Sequence, residues 1–297
     1  MHIPASMLHG AVCPVTAVVS AAGLLAAGLF AWRSEARPAI SRFAAVTALI
    51  FALQMLNYPI QDGTSGHLVG AILAVGLLGL PFAVLSMAMI LAVQAVFFGD
   101  GGLNALGANI LNMGLLGAGL AGWLMHRLMK AGAPRTLSVM AAAWLSVFAG
   151  ALACALEAAW AGTYGLSGIL PAMLTVHALI GLGEALLTVV LITLLQPHGR
   201  PEPQREGAFT FGALLLACLA AVCSPFASGF PDGLEHVLGT LPFTPVSGAR
   251  LPVLFPDYTV PSISHAALAT VTAALVGIGI LLFLSFSFGA VVSRVRK

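Results

Sequence analysis

The stretch GILPAMLTVHALIGLGEALLTVVLITLL, residues 168–195, contains no Lys, Arg or Asp and a single carboxylate, Glu184. At about 1.5 Å of rise per residue, a helix of this length exceeds the roughly 30 Å hydrocarbon core of a bilayer. Its apolar residues do not alternate at period two, as those of a barrel strand would. Lipid leaves only helices and closed barrels as spanning structures, so the stretch predicts a transmembrane α-helix.

The rest of the chain has the same character. It has 297 residues, 60% hydrophobic and 7% charged, with a mean hydropathy of +1.03. An ordinary soluble domain carries about 25% charged residues. Further apolar runs lie at 12–31, 43–57, 67–80, 82–98, 106–125, 136–158, 207–226 and 265–291. The expectation is an all-α integral membrane protein, a polytopic helical bundle of about nine transmembrane helices. The first run has no basic residue ahead of it and Arg33 after it, unlike a cleavable signal peptide, so the amino terminus is expected to stay on the protein. Met1 before a bulky His2 is a poor context for removing the initiator, and loss of the formyl group would free its amine.

Basic residues give the orientation. Arg33, Arg37, Arg42, Arg127, Lys130, Arg135, Arg200, Arg205, Arg294, Arg296 and Lys297 fall on one side of nine spans, and Arg250 alone on the other. The amino terminus is therefore expected outside and the carboxyl terminus in the cytoplasm. The opening MHIPASM and the loop NYPIQDGTSGH, residues 57–67, then both face outward.

A His at position 2 has particular chemistry. The Met1 amine, the His2 backbone nitrogen and the His2 Nδ1 form fused five- and six-membered chelate rings around one metal. Loss of the amide proton requires an ion that rewards planar nitrogen coordination: Cu(II), Ni(II) and, less readily, Co(II). One planar position stays open, and His67 is the candidate to close it. Gly63 and Gly66 before it allow close backbone approach, and Pro4 stiffens the chain behind the chelate. The competing reading makes His2 an accident of a short disordered start and His67 a helix cap or a residue at the membrane interface.

Four ordered motifs carry a resemblance. MHIP at the start, NYPIQDGTSGHLVG at 57–70, GDGGLNALGANILNMG at 99–114 and HALIGLGEAL at 177–186 resemble the CbiM/NikM family. Its members are substrate-binding membrane components of cobalt and nickel energy-coupling factor transporters. PDGLE at 231–235 is similar to the CbiN/NikN accessory component. The resemblance implies a substrate-binding domain of about seven helices over 1–200. It implies a fused second segment over 205–297, with two helices and a long extracytoplasmic loop. It also implies metal ligation by Met1, His2 and His67, the residues that the chelate chemistry selects. Ala5 and Ser6 stand where the family often has Asp-Gly. Cobalt members more often begin MHIMEG, so MHIP favours nickel, with cobalt for cobalamin synthesis as the alternative cargo.

No phosphate-binding G-x-x-x-x-G-K-[ST] occurs, and neither Lys130 nor Lys297 follows a Gly, so the chain is expected not to hydrolyse ATP. The resemblance supplies a transmembrane coupling subunit and two ATP-binding cassette ATPases as partners, in the lipid of a bacterial inner membrane. It implies no nucleic acid, and no cofactor besides the carried ion. Three rival functions are a membrane-embedded enzyme, a passive channel or scaffold, and a permease driven by protons through Glu184. HExxH and GxSxG are absent, which counts against the enzyme.

Other polar residues are candidates for support of the site or for the ion's path. His177 and Glu184, seven apart, share a helix face, and either helix packing or a role toward the ion accounts for them. Asn109 is expected to hydrogen-bond the far nitrogen of His67 or, alternatively, a neighbouring helix. His9 is near enough to His2 to assist capture. Cys13, Cys154, Cys218 and Cys223 form no CxxC pair and read as packing residues. The Pro-rich stretch 224–264 reads mostly as a linker, or as a segment that packs over the site or opens it for loading.

Overall fold

The computed structural model describes residues 2–196, 205–242 and 252–295. Met1, His198, Arg200, Arg250, Arg296 and Lys297 lie outside the described residues. The helices in chain order are α1 (Val12–Arg33), α2 (Ile40–Gln54), α3 (Ala71–Leu78), α4 (Leu80–Val93), α5 (Leu106–Asn109), α6 (Ala121–Lys130), α7 (Arg135–Trp160), α8 (Leu166–Leu195), α9 (Glu206–Cys223), α10 (Gly233–Thr240) and α11 (Ala266–Val295). Wider π-helical turns continue α4 through Gln94–Phe98 and join α5 to α6 through Ile110–Leu120. A short antiparallel hairpin, β1 (Tyr58–Pro59) and β2 (Ser65–Gly66), pairs Tyr58 with Gly66.

Among the described residues, seven helical segments are long and apolar enough to cross a membrane, and the protein is an all-α, multi-pass membrane protein. Two of the runs read as spans are shorter than a crossing. The run at 43–57 is α2, of 15 residues, and the run at 67–80 yields only the eight residues of α3. Backbone geometry explains α3. Gly70 and Gly79 bracket it at φ 77° and 85°, a left-handed conformation that other residues resist, so the helix can neither start earlier nor run on into α4. Helix α2 is mostly apolar and is buried on nearly all sides, as an enclosed helix must be, and its buried polar residues are paired.

The amino terminus is not a loose start. Ile3, Met7 and Leu8 are fully buried. Asn104 Nδ2 donates to the carbonyls of Ala5 and Leu8, and Thr163 Oγ1 donates to that of Met7. With apolar side chains inserted and carbonyls bonded, residues 2–8 form a plug in the helix bundle.

The segment after residue 205 is built into the same bundle. Arg42, expected in a polar break, is buried on α2 and grips Glu206 of α9 with two nitrogens, at 2.9 and 2.6 Å. Its guanidinium also lies 3.7 Å over the Phe209 ring. On α11, Gly277 lets the backbone close onto Phe51 of α2, where a side chain would collide.

Candidate metal centre

Five parts of the chain meet at one place: the amino-terminal plug, the loop before α3, the glycine turn after α4, the start of α10 and the segment around Tyr258. The rings of His2 and His67 lie side by side there, with centroids 5.7 Å apart and planes 13° from parallel.

His2 is fixed at both ring nitrogens. A relay of amides sets its proton. Gln54 Nε2 donates to the Val69 carbonyl at 2.8 Å, and Gln94 Nε2 donates to Gln54 Oε1 at 2.6 Å. That leaves Gln94 Oε1 as the acceptor facing His2 Nε2 at 2.9 Å. His2 must donate from Nε2, so in the neutral ring the lone pair is on Nδ1, the nitrogen needed for an amino-terminal chelate. Burial pushes the imidazole pKa down to about 4, against the nearby Asp100 carboxylate, which raises it. The ring is therefore neutral at pH 7. Its Nδ1 then faces Asp100 Oδ2 at 3.3 Å. Two acceptors at that distance suit a cation between or beside them.

The glycine turn makes this approach possible. Asp100 is flanked by Gly99, Gly101 and Gly102, all at positive φ. A Cβ on Gly101 would sit 2.5 Å from Asn109 Nδ2, and one on Gly102 would sit 2.5 Å from the Ala5 Cβ. Tyr258 closes the far side by donating its hydroxyl to Asp100 Oδ2 at 2.6 Å. Burial, with Asp100 second, raises the Tyr258 pKa well above its ordinary value, so the phenol keeps that proton.

His67 receives the complementary arrangement. Its Nδ1 faces the Leu68 carbonyl at 3.1 Å, which in the neutral ring suits a proton on Nδ1 and a lone pair on Nε2. Nε2 is 3.7 Å from Asp232 Oδ2. Asp232 begins α10 and caps it, accepting from the Glu235 amide while Glu235 accepts from the Asp232 amide. The turn is held on the loop by Ser65, whose amide donates to the Pro231 carbonyl at 2.9 Å and whose hydroxyl donates to that of Phe230 at 2.8 Å.

Glu184 lies behind this loop. Its two oxygens accept from the amides of Val69 and Gly70, at 2.6 and 2.8 Å, two and three residues after His67. It is a fully buried clamp on the backbone at the start of α3. Asn109 does not bond His67 as expected. Its Oδ1 accepts from the Ile3 amide at 2.8 Å and its Nδ2 donates to the carbonyls of Ile3 and Gly101. It reads the backbone next to His2 as a neighbouring strand would, because α5 runs alongside the plug rather than the hairpin. His9 is exposed, and His177 lines a small cavity beside His67 and Asp232.

Met1 lies outside the described residues. Among those described, no three His, Cys, Asp or Glu side chains form a ready metal cluster. The candidate ligand set instead combines two imidazoles with main-chain nitrogens. Gln54, Gln94, Asp100, Asp232 and Tyr258 were not singled out from sequence. The amides had a signal, as uncharged polar residues inside apolar runs. The two aspartates stood inside motifs already quoted, and the stretch around Tyr258 had none. The expectation of a linker is corrected for the described parts of 224–264, since residues 230–232 dock on the loop and the rings of Phe255 and Tyr258 pack on Phe98.

Comparison with known proteins agrees with this organisation. Residues 2–203 match the CbiM family, described as a cobalt uptake substrate-specific transmembrane region, and residues 207–294 match the PDGLE domain. A putative fused nickel transport protein NikMN of Archaeoglobus fulgidus is 34% identical, with 97% of each chain covered. A fused nickel transport protein NikMN of Rhodobacter capsulatus is 30% identical, with 95% of each covered. The crystal structure of a truncated transition metal transporter superposes with a TM-score of 0.60 at 31% identity, covering 67% of this chain and all of that one.

Proposed function

The chain belongs to the CbiM family of metal-transport membrane proteins, and we propose that it is the ion-capturing subunit of a nickel importer. In this reading Ni(II) is held by the Met1 amine, the His2 amide nitrogen, His2 Nδ1 and His67 Nε2. The observation that supports it is the pair of tautomers. Independent partners, Gln94 for one ring and a backbone carbonyl for the other, leave a lone pair on each of the two nitrogens the ligand set requires. Each of those nitrogens also has a carboxylate close by. Planar nitrogen donors favour Ni(II) over Co(II), and the relatives described as nickel transport proteins agree with that choice.

The chain itself then performs capture, not chemistry: it strips water from the ion and holds it at the outer face. Inward movement draws on ATP hydrolysed by two cassette ATPases, through a transmembrane coupling subunit of the energy-coupling factor type. The amino terminus faces outward and the carboxyl terminus faces the cytoplasm of a bacterial inner membrane. The amino-terminal two thirds carries the ligands, and the PDGLE segment supplies Asp232 and Tyr258 to the same place.

Metal content of detergent-purified protein with its native amino terminus tests the reading. One nickel per chain is expected at micromolar nickel. It should be lost on adding one residue before Met1, which moves the amine, and in His2→Ala and His67→Ala. Undiminished nickel in the extended chain would exclude the amine chelate.

A further inference from the structure

A third imidazole borders the pair, and none of the contacts described above accounts for it. His177 of α8 is 1% exposed. Its Nδ1 faces the Met173 carbonyl at 2.8 Å, so the proton is on Nδ1 and the lone pair on Nε2. Among the described residues that Nε2 is buried with no hydrogen-bond partner. A buried acceptor left this way is costly unless something visits it.

The ring is not sealed in packing. It lines a cavity of about 10 Å³ together with Gly66, His67, Asp232 and Gly233. That volume holds roughly one water-sized particle. Gly233 brings the α10 turn against the ring, since a Cβ there would stand 3.1 Å from His177 Cε1. Two imidazole residues, His67 and His177, and the carboxylate residue Asp232 therefore border one small space. Imidazole with carboxylate is a donor set that late first-row divalent ions accept.

We propose that this cavity is a second, transient position for the divalent ion, reached from the His2–His67 site when His177 Nε2 and Asp232 replace the amino-terminal nitrogens while His67 stays bound. The inference rests on the capture site proposed above. His177 Nε2 and an Asp232 oxygen replace two of the three amino-terminal nitrogens and a water replaces the third, while the His2 amide regains one proton from water as the ion leaves it. The three side chains do not converge as a finished metal cluster, which suits a position of transit, because a convergent set would trap the ion. The same face of α8 continues with Glu184 and Thr188, both fully buried, and Thr188 Oγ1 is likewise without a partner among the described residues. From His177 to Thr188 this polar line runs about 16 Å along the helix.

Nickel titration of the full chain, with its native amino terminus, tests the position directly. His2→Ala removes the chelate and is expected to leave residual nickel binding at least 100-fold weaker than native. Adding His177→Leu to His2→Ala should weaken that residue of binding a further tenfold or more, whereas His177→Leu alone should lose far less. His177→Gln, which keeps a polar group in the cavity, supplies a second variant, and thermal unfolding of each confirms a folded chain. Equal residual binding with and without His177 would overturn the proposal and leave the cavity a water site. So would a loss in His177→Leu alone as large as in His67→Ala, which would make His177 a primary ligand or a structural residue. Native affinity in both His2→Ala and His67→Ala would instead mean that the capture site itself is wrong.

Discussion

The two imidazoles of the site are held in opposite ways. His2 is gripped entirely by the amino-terminal two thirds, through the Gln54–Gln94 relay, Asn109 on the next peptide and Asp100 at Nδ1. From its own half His67 meets the Leu68 carbonyl and the His2 ring, and its metal-facing nitrogen looks onto Asp232, brought by the PDGLE turn. One ligand is preset by the domain that carries it. The other depends on a segment more than 160 residues away in sequence, so that segment can influence capture without contributing a ligand.

The strongest way to break the comparison is at Glu184, which anchors the His67 loop from the domain's own side. Glu184→Ala leaves the amides of Val69 and Gly70 buried and unpaired, at about 1–3 kcal/mol each. The apo protein should lose about 2–5 kcal/mol of stability by denaturant unfolding in detergent, and nickel binding should fall with it. Wild-type stability in this variant would mean the clamp is redundant.

Gln94→Leu attacks the His2 side alone. The leucine occupies similar space but frees the ring to take either tautomer. Nickel affinity should drop about 10–100-fold, the usual cost of removing a hydrogen bond that orients a ligand. Unfolding should change much less than for Glu184→Ala. An unchanged nickel Kd would show that the relay does not set the lone pair.

The same asymmetry governs what could be read from the sequence. Apolar runs gave the helical class, because lipid forces every spanning segment to be long and apolar. His2 and His67 were legible because chelate geometry depends on covalent spacing at a chain end. Asp100 and Asp232 were visible only as letters within motifs, since their roles depend on glycine turns at positive φ and on a parallel bridge between Ser65 and Asp232. Asn109 was expected at His67 or at a neighbouring helix and instead bonds the backbone of Ile3 and Gly101, since spacing does not reveal whether the start of α5 lies against the plug or the hairpin. The short α3 was missed for a related reason: a run of apolar residues does not show that Gly70 and Gly79 break its helix at both ends.

Asp232→Asn separates charge from architecture on the His67 side. Asn caps a helix about as well as Asp, so α10 should persist. The variant loses a negative charge beside His67 Nε2 and gains an amide that can donate to that nitrogen and compete with the ion. Nickel affinity is expected to fall about three- to tenfold, with the loss shrinking at high salt to the extent that it is coulombic. No change in affinity would reduce the PDGLE turn to a structural cover.

Tyr258→Phe should have the smallest effect, and its size tells whether the His2 side also depends on the second segment. The phenol packs on Phe98 with centroids 4.8 Å apart, and phenylalanine keeps that stack. Only the hydroxyl, donated to Asp100 Oδ2 and close to the Gln94 side chain, disappears. The Asp100 backbone amide still donates to the Gln94 carbonyl at 3.1 Å, so the carboxylate stays near His2 Nδ1. The cost is one hydrogen bond, about 1 kcal/mol of stability, and a fall in nickel affinity of about two- to threefold. Isothermal titration of the variant beside Asp232→Asn measures the difference between the two halves. If Tyr258→Phe loses as much affinity as Asp232→Asn, both imidazoles answer to the PDGLE segment and the asymmetry drawn from their contacts does not hold.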